Sequence, residues 1–134
     1  MTQKNNIIEE DVRIITTNIG NAWDKIKGSK FLISGSNGLI GSYLVDTIKF
    51  LNDYYFEIPI TVTCINRKVP QVDTRNFKIF QSGDKNFEFI SLDLGSEARL
   101  KFDADYVIHA AGDSSPYKFQ KNRFETIKTL TKWQ

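Results

Sequence analysis

The stretch FLISGSNGLIGSYLVDTI, residues 31–48, decides how the chain is read. With Lys30 it opens on KFLIS, an apolar run of strand length. It then passes through the glycine turn GSNGLIG at 35–41 and continues as LVDTIKFL with helical spacing. Gly35, Gly38 and Gly41 form G-x-x-G-x-x-G between that strand and that helix. A diphosphate is bound by main-chain N–H groups at a helix N-terminus, where unpaired donors and the positive end of the dipole face the anion. Gly35 permits the tight exit from the strand, Gly38 clears space beside the phosphates, and Gly41 lets the helix pack closely on the sheet. Ser36 and Asn37 can add side-chain hydrogen bonds. A glycine turn can also do no more than turn the chain, but the strand before it and the helix behind it favour the phosphate reading. A nucleoside-triphosphate loop fails on chemistry: five residues separate Gly35 from Gly41, and Ser42 stands where a phosphate-binding Lys is required.

Working outward, Val12, Ile15, Ile19, Trp23 and Ile26 recur at steps of three or four and predict a helix over 9–27, broken near Gly20. After Pro59, the β-branched ITVTCIN (60–66) reads as a second strand, and NFEFISLDL (86–94) as a third. Between them lies a polar connection that is either loop or short helix. ADYVIHAAG (104–112) supplies a fourth apolar run, and Phe119, Phe124, Ile127 and Leu130 suggest a closing helix. Strands alternating with helices or long crossovers imply a parallel sheet with right-handed connections. The fold class is α/β: a partial, doubly wound parallel sheet of Rossmann type (28–134), preceded by an N-terminal helical extension (1–27).

The ends of the later strands carry further candidates. About 20 residues or more past the glycines, the second strand of such a sheet usually presents an Asp or Glu to the adenosine ribose of NAD. Here Asn66-Arg67 stands there. Asn66 can hydrogen-bond a ribose hydroxyl, whereas Arg67 can pair with a 2′-phosphate, so both NAD and NADP stay open. Asp93 is placed to accept from an adenine amino group with Leu94 over the ring, or else simply to form the turn. In HAAG (109–112), small residues end the fourth strand beside the expected cofactor. Cys64 reads as core packing and His109 as a buried strand-end residue rather than a proton shuttle.

Composition bounds the rest. The chain has 134 residues, room for one domain, with 40% hydrophobic, 13% aromatic and 25% charged residues, which excludes a disordered or fibrous chain. A net charge of +2, scattered along the chain, gives no basic footprint for nucleic acid. One Cys and one His leave no internal disulfide and no zinc cluster, so no metal is expected. No apolar run approaches signal-peptide or bilayer-spanning length, which predicts a cytoplasmic protein with no membrane partner.

These motifs resemble the N-terminal half of the extended short-chain dehydrogenase/reductase family, the NAD-dependent epimerase/dehydratases that act on nucleotide sugars. FLISGSNGLIGSYLVDTI resembles that family's strand, glycine turn and helix, ISLDL its adenine-site Asp, and DYVIHAAGDSSP its fourth-strand signature. Together these cover roughly residues 28–130. AAGDSSPYKFQKNRFETIKTL is most similar to the UDP-glucuronate decarboxylase and dTDP-glucose 4,6-dehydratase branch, and the helical leader is similar to that of bacterial surface-polysaccharide relatives. The resemblance implies that Gly35, Ser36, Asn37, Gly38, Leu39, Ile40 and Gly41 touch the pyrophosphate and adenosine. It further implies Asn66 and Arg67 at the ribose, Asp93 and Leu94 at the adenine, Ala110, Ala111 and Gly112 along the nicotinamide, and Ser114 and Ser115 facing the cleft.

The resemblance implies a catalytic Ser/Thr and Tyr-x-x-x-Lys after a fifth strand, and a substrate domain beyond, and the expectation from these 134 residues is that neither is reached. The Tyr117–Lys121 match follows the fourth strand and Pro116, where it does not fit the catalytic helix, and Leu130 and Trp133-Gln134 replace the expected polar and Gly-Thr positions. The expectation is therefore a truncated, inactive dinucleotide-binding portion. It would take a nucleotide sugar only if a substrate domain were supplied, and its exposed sheet edge favours association, including a homodimer. A non-catalytic NAD(P)-binding regulatory module and a small reductase using Tyr117 and Lys121 are the alternatives.

Overall fold

The computed structural model describes residues 3–95 and 101–112, together with the single positions 120, 123, 124, 127 and 128. Helix α1 (Gln3–Ile19) leads into a 3₁₀ segment, Gly20–Lys25. Then come β1 (Lys30–Ser34), α2 (Leu39–Tyr54), β2 (Thr61–Asn66), α3 (Phe77–Ser82), β3 (Phe87–Ser91) and β4 (Tyr106–His109). All pairings are parallel and the strand order is β3-β2-β1-β4. Chain order therefore runs outward from β1 through β2 to β3, then reverses to place β4 on the other side of β1. Positions 120, 123, 124, 127 and 128 are helical, with Phe124 and Ile127 exposed. Ser114, Ser115, Tyr117, Lys121, Leu130, Trp133 and Gln134 lie outside the described residues.

Strand alternation supplies the core. Phe31 and Ile33 of β1, Val62 and Cys64 of β2 and Phe87 of β3 face α2, which answers with Val45 and Ile48 at helical spacing. Ile79 of α3 and Phe89 of β3 pack onto the same cluster, so the three described helices share one side of the sheet. Strand β1 is also closed on its other side, where Leu32 and Ser34 are buried, as befits the middle of a parallel sheet. The α2–β2 connection is fixed by Asn52, whose Nδ2 donates to the Ile60 carbonyl and whose Oδ1 accepts the Ile60 N–H, both at 2.8 Å.

The leading helix and β4 differ in extent from the sequence reading, and the β2–β3 connection takes the short-helix alternative. The leading helix begins at Gln3 rather than residue 9, because Ile8 extends the Val12 face by one turn, and it gives way at Gly20 to the 3₁₀ segment. The connection between β2 and β3 contains the short helix α3. Strand β4 covers only four residues of the apolar run, since Asp105 is used outside the ladder: its Oδ2 accepts the Lys30 N–H at 2.8 Å. No helix among the described residues is long and apolar enough to cross a membrane.

Lys49 joins α2 to the loop before β3, its Nζ donating to Asp53 Oδ1 at 2.8 Å and Asp84 Oδ2 at 2.7 Å. Partial burial pulls the ammonium down, but the hydrogen bonds to the two carboxylates outweigh it and raise Lys49 above its ordinary range. Burial pushes Asp84 up, yet donation from Lys49 and the Asn86 N–H holds it below the usual carboxylate range. A raised Lys stabilises below its unfolded pKa, about 10.4, and loses that contribution above it; a lowered Asp stabilises above about 3.9 and loses it below. Lys49→Met should therefore cost up to about 1 kcal/mol at neutral pH. Urea unfolding across the pH range should show that gap closing on both the acid and alkaline limbs, and a gap independent of pH would refute the coupling.

Candidate functional site

The first strand ends by feeding the Gly35 N–H to the Ile65 carbonyl at 2.8 Å, one step beyond the β1–β2 ladder. The chain then turns at Gly35 with φ +73°, in the left-handed region where a side chain is strained. Space is equally decisive. A Cβ on Gly35 would lie 2.6 Å from backbone atoms of Ala110 and Ala111, so the glycine turn and the exit from β4 are in direct contact. A Cβ on Gly41 would lie 2.2 Å from the Gly35 carbonyl oxygen and 2.7 Å from Ser36 Cα. Gly41 thus lets α2 rest on the turn itself rather than on the sheet. At Gly38 a Cβ would meet only the Gly35 carbonyl oxygen, at 3.3 Å.

Above this contact lies a cleft of about 410 Å³ at the carboxyl ends of the strands, within the range of small-molecule sites. Of the residues singled out in the sequence, Gly35, Asn37, Gly38, Asn66, Arg67, Asp93, Leu94, Ala110, Ala111 and Gly112 line it. The ends of all four strands and the start of α2 are thereby brought together from four separate stretches of chain. Helix α2 starts at Gly38 with no side-chain cap, leaving the donors of its first turn for an anion. Leu39 and Ile40 are exposed on that turn and stand outside the cleft lining.

Two predicted contacts are corrected. Ser36 is wholly buried beneath the turn: its Oγ accepts Asn66 Nδ2 at 2.6 Å and its carbonyl accepts Asn76 Nδ2 at 2.7 Å. Its hydroxyl braces the loop and is not offered to the cleft. Asn66 likewise spends its amide on the turn, since its Oδ1 accepts the Asn37 N–H at 2.9 Å while its Nδ2 serves Ser36. The reason is the approach of β1 and β2 at their ends, where buried main-chain donors must find partners. Asn37 donates from Nδ2 to the Lys68 carbonyl at 3.1 Å, and its Oδ1 is buried with no hydrogen-bond partner. Asp93 is exposed at the cleft and forms the turn, its Oδ1 accepting the Gly95 N–H at 2.9 Å.

Ile65, Lys68 and Leu92 line the cleft without having been singled out. Lys68 and Leu92 adjoin named residues, and the strand ends could have flagged them. Asn76 carries no such signal, because only the fold brings it under Ser36. Cys64 is a core residue whose thiol is pushed up to about 12 by burial, against a weaker hydrogen bond from Ser36. His109 is half-buried, its Nδ1 2.5 Å from the Oγ of buried Ser34, its neighbour in the ladder.

A parallel order that reverses beside the first strand, with a glycine turn and an uncapped helix start at the reversal, defines the Rossmann class of dinucleotide-binding folds. Residues 31–132 match the NAD dependent epimerase/dehydratase family, and the chain belongs to it. A search of curated proteins returns no match.

The glycine geometry makes a graded prediction. Gly35→Ala and Gly41→Ala should each lose stability by about 1–3 kcal/mol or more, because the added carbon meets backbone that cannot rotate away. Gly38→Ala should cost less than about 1 kcal/mol, since only one carbonyl must shift by a few tenths of an ångström. Urea unfolding of the three variants provides the comparison, and a Gly41→Ala protein as stable as the parent would contradict the packing described.

Proposed function

We propose that this chain binds the nicotinamide dinucleotide of a nucleotide-sugar epimerase, dehydratase or decarboxylase acting in the cytoplasm, in surface-polysaccharide synthesis. The observation that carries the reading is the contact of Gly35 with Ala110 and Ala111. It sets the glycine turn, the uncapped start of α2 and the small residues after β4 around one cleft. Ligands of doubly wound sheets sit at that reversal of strand order.

The residues present fit the group. Gly38 offers a surface that a larger residue would fill, and the N–H groups of the first turn of α2 would hold the diphosphate. The orphaned Asn37 Oδ1 is an acceptor in want of a hydroxyl or amino donor, which the adenosine half supplies. Asp93 and Leu94 would take the adenine edge and face, and Ala110, Ala111 and Gly112 would leave room for the nicotinamide. When bound, that ring accepts a hydride from the sugar and returns it. The residues described here would bind and orient the dinucleotide. In this reading a nucleotide sugar is taken only where a substrate domain is supplied, and the chain pairs with a second copy.

The test is a thermal melt with millimolar NAD⁺ and, separately, NADP⁺. A ligand at 100 times its dissociation constant stabilises the folded state by about 2.7 kcal/mol, a readily visible shift. Gly38→Val should lose the shift, and a melt without ligand separates that loss from the cost of the side chain itself. No shift with either dinucleotide would sink the proposal.

A further inference from the structure

Asn37-Gly38 is the one Asn-Gly pair in the 134 residues, and both of its members line the cleft. Asn carries a thermolabile amide. A Gly after it makes that amide most labile, because no side chain shields the next main-chain nitrogen from the amide carbon. Gly38 is exposed, and its nitrogen is shielded in no other way than by the hydrogen bonds of the turn.

The closed turn keeps the two reacting groups apart. The Gly38 N–H donates to the Gly35 carbonyl at 3.0 Å, and Asn37 Nδ2 donates to the Lys68 carbonyl at 3.1 Å, which draws the side chain toward the residues after β2. The Asn37 N–H is held by Asn66 Oδ1 at 2.9 Å. Attack on the amide requires the first two of these bonds to break: the Gly38 nitrogen must give up its proton, and the Asn37 side chain must fold back over its own main chain. Local opening of the turn therefore gates the reaction.

We propose that Asn37 is a site of spontaneous deamidation, gated by opening of the glycine turn, and that the conversion destroys the diphosphate site. The Gly38 nitrogen, its proton lost to hydroxide, bonds to Asn37 Cγ, the Cγ–Nδ2 bond breaks, and that nitrogen leaves as ammonia. Water then opens the cyclic imide at either carbonyl, leaving aspartate or a main chain rerouted through the side chain. One water is consumed and one ammonia released, with no change of oxidation state. Either product puts a carboxylate beside the first turn of α2, where it favours the helix but competes for the N–H donors and repels a diphosphate. Resting on the dinucleotide reading above, a bound dinucleotide holds the turn closed and the amide intact. The unloaded chain loses its site irreversibly, and the loaded chain keeps it.

Peptide mass mapping of the full chain in mildly alkaline buffer tests this, with samples left alone, with NAD⁺, with NADP⁺, and unfolded in guanidinium chloride. The peptide holding residue 37 should gain the amide-to-acid mass detectably but more slowly in the folded chain than in the unfolded one. A dinucleotide at about 100 times its dissociation constant should slow it by up to about a further hundredfold. Asn37→Gln should abolish the gain. Asn37→Asp should keep the parent's circular dichroism and bind the dinucleotide at least about tenfold more weakly in a titration. Conversion as fast folded as unfolded, none in the folded chain, or conversion as fast with dinucleotide bound as without would each overturn the inference while leaving the dinucleotide site standing, as would Asn37→Asp binding at parent strength. A parent that binds neither dinucleotide overturns the dinucleotide site instead, and the folded-against-unfolded comparison still decides the gating.

Discussion

The constraint on which the site depends is the absence of two side chains. At positions 35 and 41 even a single added carbon would sit 2.6 and 2.2 Å from backbone atoms of the turn and of the exit from β4, and main chain packed that closely cannot move aside without opening the turn. Remove that constraint and the turn must lift away from Ala110 and Ala111, α2 must tilt off the turn, and the cleft between them changes shape. The three elements meet because their main chains touch, and main-chain contact is what a phosphate-sized anion needs in order to reach N–H groups rather than side chains. Gly38 plays a different part. A Cβ there would press on one protein atom, the Gly35 carbonyl oxygen at 3.3 Å, and the position lines the cleft, so its smallness also serves something placed there.

A second layer of polar contacts makes the turn rigid. Ser36, Asn66 and Asn76 are buried together, and each satisfies a group on another: hydroxyl to amide, amide to main-chain N–H, amide to carbonyl. Leaving any of these groups unpaired in the interior costs about 1–3 kcal/mol, so the network holds the loop in one conformation. It also removes Asn66 from the list of groups that can greet a ligand. Among the described residues, Arg67 and Lys68 are the cations that line the cleft beside it, while Asn66 is neutral and turned inward.

This division explains what the sequence could and could not reveal. The strand–turn–helix at 30–54 was legible because periodicity, β-branching and glycine spacing are local properties, and the four strands followed from the same signals. The parallel pairing followed from the need of such neighbours for long crossovers, whereas the strand order is read from the structure. The role of Asn66 was not legible: an Asn at a strand end looks the same whether it faces a ribose or a buried serine, and only the approach of β1 and β2 decides. Asn76 was invisible for the same reason, since 40 residues separate it from the carbonyl it serves. The helix start at Gln3 was missed because Ile7 and Ile8 lie among polar neighbours that weaken the apolar pattern.

The N-terminal extension shows how a segment outside the motif can still belong to the core. Val12 and Thr16 of α1 are buried, and Trp23 of the 3₁₀ segment returns its Nε1 proton to the Thr16 carbonyl at 3.1 Å, closing the segment back on the helix. Across the junction with α2, the Tyr43 hydroxyl donates to Asp11 Oδ2 at 2.7 Å while the Arg75 guanidinium lies 4.0 Å from the centre of the Tyr43 ring and pairs with Asp46. Asp11, Tyr43, Arg75 and Asp46 thus tie α1, α2 and the loop before α3 into one unit, with the ring serving as a platform for the cation. Arg75 is followed directly by Asn76, whose amide holds Ser36 under the glycine turn. The far side of α2 and the near side of the cleft are therefore connected through two consecutive residues. A loop that would otherwise be free to drift from the sheet is pinned by an ion pair on one residue and a buried amide on the next.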